Sequence, residues 1–274
     1  MLKVDLHSHS LASDGTLSPS ELVMRAVNEK LDIISLTDHD TITGLAEAAS
    51  LADKHKIKFI PGVEISCSWR TTTLHVVALG IERRSDKLQK LLQQTQNSRQ
   101  ERARAIGQKL EMAGITNAYN KARAMSRNGL ITRTHYAKLL LKESRAASLK
   151  HSFKKYLSSG KPGFVKGNWA KLQGVISTVH GAGGLAIIAH PLRYKMSNTK
   201  LNTLLSDFKN HGGDGIEAVN AGNNPDSTKY LSGLCSEYEL YASCGSDFHA
   251  PGGFIELGKM PPIPGSCRPI WNEL

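Results

Sequence analysis

With 274 residues, 40% of them hydrophobic, the chain can bury a sizeable core, and its length suits one enclosing domain with an insertion. No stretch approaches the roughly 18–20 uninterrupted apolar residues of a membrane span, and Cys67, Cys235, Cys244 and Cys267 lack the CxxC spacing of a thiolate zinc or redox site. The net charge of +11 is uneven: residues 82–165 hold 19 Lys/Arg against 5 Asp/Glu, a net of +14, which leaves −3 for the rest and suggests a local anionic partner such as a nucleotide or nucleic acid.

In chain order, residues 2–8 read as a strand with no signal-peptide core before it, so a cytoplasmic protein with reduced thiols is expected. Ser18-Pro19-Ser20-Glu21 reads as a helix start, with Ser18 at N-cap, Pro19 at N1 and Glu21 at N3, and the helix runs to about Lys30. Residues 32–37 form a short apolar run typical of a buried parallel strand. A second helix is expected over about 43–55, with strands at 58–65 and 74–80. The rhythm then breaks into a long charged helix over 85–112, capped by Ser85, and two or three more helices to about Leu157. Strands resume at 185–189, 215–219 and 241–245, and the Pro-rich tail from Pro261 is expected to be irregular. About seven strands with intervening helices indicate an α/β barrel-like fold, since consecutive parallel strands need crossovers.

Nine candidate metal ligands sit where strands give way to loops: His7, His9, Asp14, His39, Glu64, His75, His190, Asp247 and His249. His7-x-His9 places two imidazoles on one strand face, and Asp247-x-His249 repeats the spacing near the other end of the chain. Strand ends of an α/β barrel converge on one face, so residues distant in sequence can meet there. A single histidine at such a place is more often an ordinary hydrogen-bonding residue; the accumulation of them is what points to cations. Asp5 and Asp40 are candidate acceptors that orient ligand imidazoles, or else turn and capping residues. Arg193, three residues past His190, is a candidate catalytic clamp on a phosphoryl oxygen, or else a surface salt-bridge partner.

The ordered set DLHSHS, TDHDT, GVEIS, LHV, AHP and GSDFH resembles the polymerase-and-histidinol-phosphatase (PHP) superfamily over residues 1–80 and about 165–260. The resemblance implies a distorted (β/α)7 barrel formed by residues 1–81 and 166–274, with residues 82–165 inserted as a basic helical substrate cap. It also implies a first metal on His7, His9, Glu64 and Asp247, a second on Glu64, His75 and His190, and a third on Asp14, His39 and His249. Some members of the superfamily carry His where this chain carries Asp14. Two or three divalent ions are expected; imidazole-rich ligation favours Mn, Fe or Zn over Mg, and manganese is the first choice. A water activated between such ions would attack phosphorus in line.

Within the insertion, Arg99 and Arg102 are spaced to share a helix face, and with Gln100 and the run Arg133-Thr134-His135 they offer donors for a second phosphate. They read equally as ordinary exposed helical side chains. The runs NSRQERA and ITRTH resemble the superfamily branch of 3',5'-nucleoside bisphosphate phosphatases and 5'-to-3' exoribonucleases. That implies a substrate with a terminal 5'-phosphate, either a nucleoside bisphosphate or short RNA or DNA, cut at its 3'-side ester. The alternatives are a histidinol-phosphatase-like monoesterase and a non-catalytic metal-binding accessory module.

Overall fold

The computed structural model describes residues 2–126 and 130–274; Met1 and residues 127–129 of the expected insertion lie outside the described residues. One seven-stranded sheet has its strands as neighbours in chain order: β1 (Val4–Asp5), β2 (Ile33–Leu36), β3 (Lys58–Trp69), β4 (Thr72–Leu79), β5 (Leu185–Ile188), β6 (Gly215–Asn220) and β7 (Tyr241–Gly245). The sheet curls into a nearly closed barrel, with Leu6 N donating to the Cys244 carbonyl at 3.0 Å and Ser8 bridging Phe248 in parallel. The helices are α1 (Pro19–Asn28), α2 (Leu45–Lys54), α3 (Asp86–Met112), α4 (Ala118–Met125), α5 (Arg133–Lys142), α6 (Leu149–Ser152), α7 (Leu172–Gly181), α8 (Asn198–Asn210) and α9 (Pro225–Glu237). None is long and apolar enough to cross a membrane.

Local chemistry explains the elements that carry the site. The α1 capping box forms as its sequence predicts: Ser18 Oγ accepts from Glu21 N and the Glu21 carboxylate accepts from Ser18 N. Along the strands, apolar side chains alternate between two cores. Ile34, Leu36, Val63, Ile65, Val76, Ala78, Ile188 and Ile216 pack in the cluster that includes α1, α2, α7, α8 and α9. Ile33, Val77, Leu79, Ile187, Val219 and Cys244 form a separate barrel core that also takes Ile270. The tail is therefore not wholly irregular: Ile270–Glu273 makes a turn of 3-10 helix, and Ile270 is fully buried.

Two strand expectations need correction. The first strand is only two residues long, because past Asp5 the chain pairs by isolated contacts instead of a regular ladder. The fourth runs antiparallel to both neighbours, with Trp69 opposite Thr72 across a two-residue turn. A hairpin needs no crossover helix, which is why none separates β3 from β4. This reversal also brings the start of β4, and so His75, to the rim where the parallel strands end.

The insertion hangs on α3, whose N-cap is Ser85 as expected. At 27 residues and 1.5 Å per residue, α3 is about 40 Å long. Leu88, Leu91 and Leu92 near its start pack into the barrel-side core. Ala103, Ile106 and Leu110 near its end join a separate core with Ile115, Ile131, Tyr136, Leu140 and Leu157. Arg99 falls between these two sets.

Candidate active site

Seven of the nine predicted ligands follow strand ends; Glu64 sits inside β3, which runs on to Trp69 instead of ending near residue 65 as expected, and His75 comes from the reversed strand paired with it. All nine meet on one rim. His7 and His9 follow β1, with their Nε2 atoms 3.1 Å apart. Glu64 Oε2 lies 3.4 Å from each of these nitrogens, and Asp247 Oδ1 lies 3.4 and 3.0 Å from them. His39 bridges Glu64 through backbone pairing, and its Nδ1 is 2.8 Å from Glu64 Oε2. The other oxygen, Glu64 Oε1, faces His75 Nδ1 at 2.8 Å and His190 Nε2 at 3.0 Å. Asp14 Oδ1 is 3.3 Å from His249 Nε2 and 4.0 Å from His39 Nε2. Three overlapping groups result: His7, His9, Glu64 and Asp247; His39, Glu64 and His75; and His9, Asp14, His39 and His249.

The first group fits a cation. An ion with four tetrahedral bonds of about 2.0–2.2 Å holds its ligand atoms about 3.3–3.6 Å apart. The separations of 3.0–3.4 Å approach those polyhedron edges. Glu64 Oε2 and Asp14 Oδ1 are buried without a hydrogen-bond partner, as ligand oxygens would be. Burial alone would raise the pKa of Glu64, Asp14 and Asp247, but the facing imidazoles hold all three well below the usual carboxylate range. Burial and His249 push His9 down to about 3, which leaves it neutral.

The candidate ligand residues are held from behind. His7 Nδ1 donates to Glu217 Oε1 at 2.8 Å, which turns the Nε2 lone pair toward the cluster. Glu217 Oε2 also accepts from His190 N at 2.7 Å. His249 Nδ1 donates to the Asp247 carbonyl at 2.9 Å, and His75 N donates to the Tyr194 hydroxyl at 2.9 Å. His190 and Asp247 hold left-handed φ angles of 32° and 57°, costing about 1–3 kcal/mol each. Their backbone N–H groups are fixed by Glu217 and by the His7 carbonyl.

Glu217 was not anticipated; its only sequence signal is a carboxylate inside the apolar strand GIEAVN. Neither Asp5 nor Asp40 orients an imidazole. Asp5 accepts from the backbone of His7, Ser246 and Gly258, and Asp40 accepts from Ser66 N and from the Arg99 guanidinium. Asp38, also unanticipated, binds Ser10 N and Oγ and Ser13 Oγ at 2.6–2.8 Å and so fixes the loop leading to Asp14. Arg193 pairs with the Asp247 carboxylate and donates to Asn220 Oδ1 at 3.1 Å, which places it at the rim of the first group.

Next to the ligands lies a cavity of about 70 Å³, lined by Asp14, His39 and His75 together with Arg99, Arg102, Thr132, Arg133, Thr134 and Trp169. Against the roughly 30 Å³ that one water takes up in the liquid, this is room for a small polyatomic anion such as phosphate. The Arg99 and Arg102 guanidiniums lie over the Trp169 ring, 5.3 and 5.6 Å from its centroid. Among the described residues Arg99 pairs with Asp40, whereas Arg102 and Arg133 have no carboxylate partner. Burial, with Arg133 and Arg99 alongside, pushes Arg102 down to about 9. Crowded cations of this kind favour an anion.

Two expected cap residues point elsewhere. Gln100 Nε2 donates to the Tyr119 hydroxyl at 2.6 Å and the side chain lines a separate groove of about 790 Å³, since one position along a helix turns it away from Arg99. His135 is buried, and its Nδ1 accepts from Thr132 N at 3.0 Å as the N3 member of the α5 capping box. A long helix signals its arginine face but not which neighbouring side chain turns inward.

Residues 5–165 match the PHP domain. The chain is 45% identical over 271 residues to a 5'-3' exoribonuclease of Haemophilus influenzae, covering 99% of this chain and 98% of that one. It is 42% identical to a 3',5'-nucleoside bisphosphate phosphatase of Chromobacterium violaceum, covering 100% and 97%. A solved structure of an amidohydrolase from Chromobacterium violaceum, with bound sulfate and no metal, superposes with a TM-score of 0.95 at 42% identity, covering 99% and 95%. The chain belongs to the PHP domain family.

Proposed function

We propose that this chain is a divalent-metal-dependent phosphoesterase that hydrolyses the 3'-side phosphate ester of a nucleotide carrying a terminal 5'-phosphate. Its substrates would be 3',5'-nucleoside bisphosphates and short 5'-phosphorylated RNA degraded from the 5' end. The observation that carries this reading is a single cavity lined both by Asp14, His39 and His75 and by Arg99, Arg102 and Arg133. Phosphate-sized positive space directly beside a cation-binding cluster suits two phosphates separated by one ribose. The relatives named for bisphosphate and RNA substrates support the same assignment.

His7, His9, Glu64 and Asp247 would hold one cation, Glu64, His75 and His190 a second, and Asp14, His39 and His249 a third, with His9 near enough to join it. Bound divalent cations would supply an activated water and charge neutralisation at phosphorus. Manganese suits the imidazole-rich set. Arg102, Arg133 and Thr134 would hold the 5'-phosphate, with Arg99 braced by Asp40 behind them. Arg193 would reach the scissile phosphoryl group from beside Asp247. Residues 82–165 would act as the substrate cap on a barrel made by 1–81 and 166–274. The four free, buried thiols fit a reducing cytoplasmic setting.

The test is to offer adenosine 3',5'-bisphosphate, 5'-phosphorylated short RNA and histidinol phosphate, each with Mn. We expect phosphate from the first and mononucleotides from the second. Turnover of histidinol phosphate alone would replace this assignment with a metabolite monoesterase, and metal uptake without any turnover would replace it with an accessory module. His7→Ala and Asp247→Ala should each abolish turnover of both nucleotide substrates, as followed by phosphate release.

A further inference from the structure

Thr132 joins the two halves of the site. Its hydroxyl donates to Asp14 Oδ2 at 2.9 Å and accepts from Thr134 N at 3.1 Å. A hydroxyl has one proton, and His135 Nδ1, at 3.2 Å, is already accepting from Thr132 N. The carboxylate is therefore the proton's natural destination. The contact is buried, and it occupies one Asp14 oxygen while Oδ1 is left without a hydrogen-bond partner, facing His249 Nε2. Lys138, one turn into the same helix, donates to the Asp14 carbonyl at 3.3 Å. Thr132 is the N-cap of α5, and Arg133 and Thr134 are its first two helical residues, both lining the phosphate-sized cavity. The beginning of one helix thus lines that cavity and sets which Asp14 oxygen faces the histidines.

On the proposed function, we infer that Thr132 is a positioning residue that couples cation binding at Asp14 to 5'-phosphate binding at Arg133 and Thr134. A cation on Asp14 Oδ1 fixes the carboxylate plane, the carboxylate fixes the Thr132 hydroxyl, and the hydroxyl fixes the first turn of α5. A phosphate on that turn favours the same arrangement from the other side. Coupling of this kind is reciprocal, and each ligand strengthens the other by the same factor.

The test uses the whole protein with adenosine 5'-monophosphate as the phosphate probe and Mn as the cation. Calorimetry gives the nucleotide affinity with and without Mn, and the ratio of the two is the coupling factor. Direct attraction between cation and nucleotide enters every variant alike, so the comparison between variants isolates the Thr132 link. Thr132→Ser keeps the donor and should retain the wild-type ratio within about twofold, whereas Thr132→Val should lower it at least about fivefold. A Thr132→Val protein that weakens nucleotide binding equally with and without Mn would reduce Thr132 to a helix cap and overturn the inference. A second measurement needs no variant: in the wild type, Mn alone should slow hydrogen exchange of the first amides of α5, and unchanged exchange would overturn the coupling. Absence of nucleotide binding in every form would instead count against the proposed function itself.

Discussion

Glu217 holds the His7 ring with one carboxylate oxygen and the His190 backbone with the other. Removing such a partner typically costs about 10–100-fold in metal affinity. Glu217→Ala should fall in that range, measured by Mn titration, while remaining folded by circular dichroism; wild-type affinity would show that the His7 ring is fixed by packing alone. Arg102 differs in kind, because its Nε is already engaged with the Val165 carbonyl at 2.9 Å and only its remaining guanidinium donors face the cavity. Loss of a charge-assisted hydrogen bond is worth about 1.5–3 kcal/mol. Arg102→Ala should therefore raise KM for adenosine 3',5'-bisphosphate by about tenfold or more and leave KM for a substrate lacking the 5'-phosphate nearly unchanged. An equal rise for both would mean that the residue only supports the fold. At this scale the sequence was most legible where chemistry is local. His7-x-His9 and Asp247-x-His249 announce themselves by spacing, whereas Glu217, Asp38 and Thr132 act through partners 25–210 positions away and leave no such mark.

Among the elements, α3 joins the inserted helices to the barrel. It contributes Leu88 and Leu92 to one core and Ile106 and Leu110 to another, with no break between them. The positions of Arg99 and Arg102 over the rim therefore depend on helical phase. Inserting one alanine between Leu92 and Arg99 would rotate the arginines by about 100° and advance them about 1.5 Å. We expect the product to fold, to keep its Mn affinity within a few-fold and to lose most turnover of 5'-phosphorylated substrates; full activity by phosphate release would show that the cap adjusts independently of the barrel. The length of α3 and its Ser85 cap can be read from sequence, because propensity and capping are local. The reversal of β4 could not be inferred from its apolar pattern, which is the same for either strand direction, and strands read at 58–65 and 74–80 leave eight residues between them where the structure has a two-residue turn.

Over the whole molecule, the charge division seen in the sequence has a spatial counterpart. The acidic ligands are gathered on the barrel rim, and the basic insertion leans over them through Arg99, Arg102 and Arg133. The barrel class and the gathering of nine residues on one rim were accessible from the order of strands and of the motifs that hold those residues. Which side chains of the insertion turn toward that rim was not, because it depends on which helix face meets which neighbour.

The barrel seam has a further consequence. β1 contributes only two residues to the sheet, and its junction with β7 depends on a few backbone bonds: Leu6 to Cys244, His9 to Phe248 and Asp247 to His7. The His7, His9, Glu64 and Asp247 group straddles this junction, so an ion there would fasten the first strand to the last as a removable rivet. An ion at 100 times its dissociation constant stabilises the folded state by about 2.7 kcal/mol. Chelation should accordingly lower Tm in calorimetry, and protection from hydrogen exchange should fall first at Leu6 and His9; an unaltered melting curve after complete metal removal would mean that the seam holds on its own.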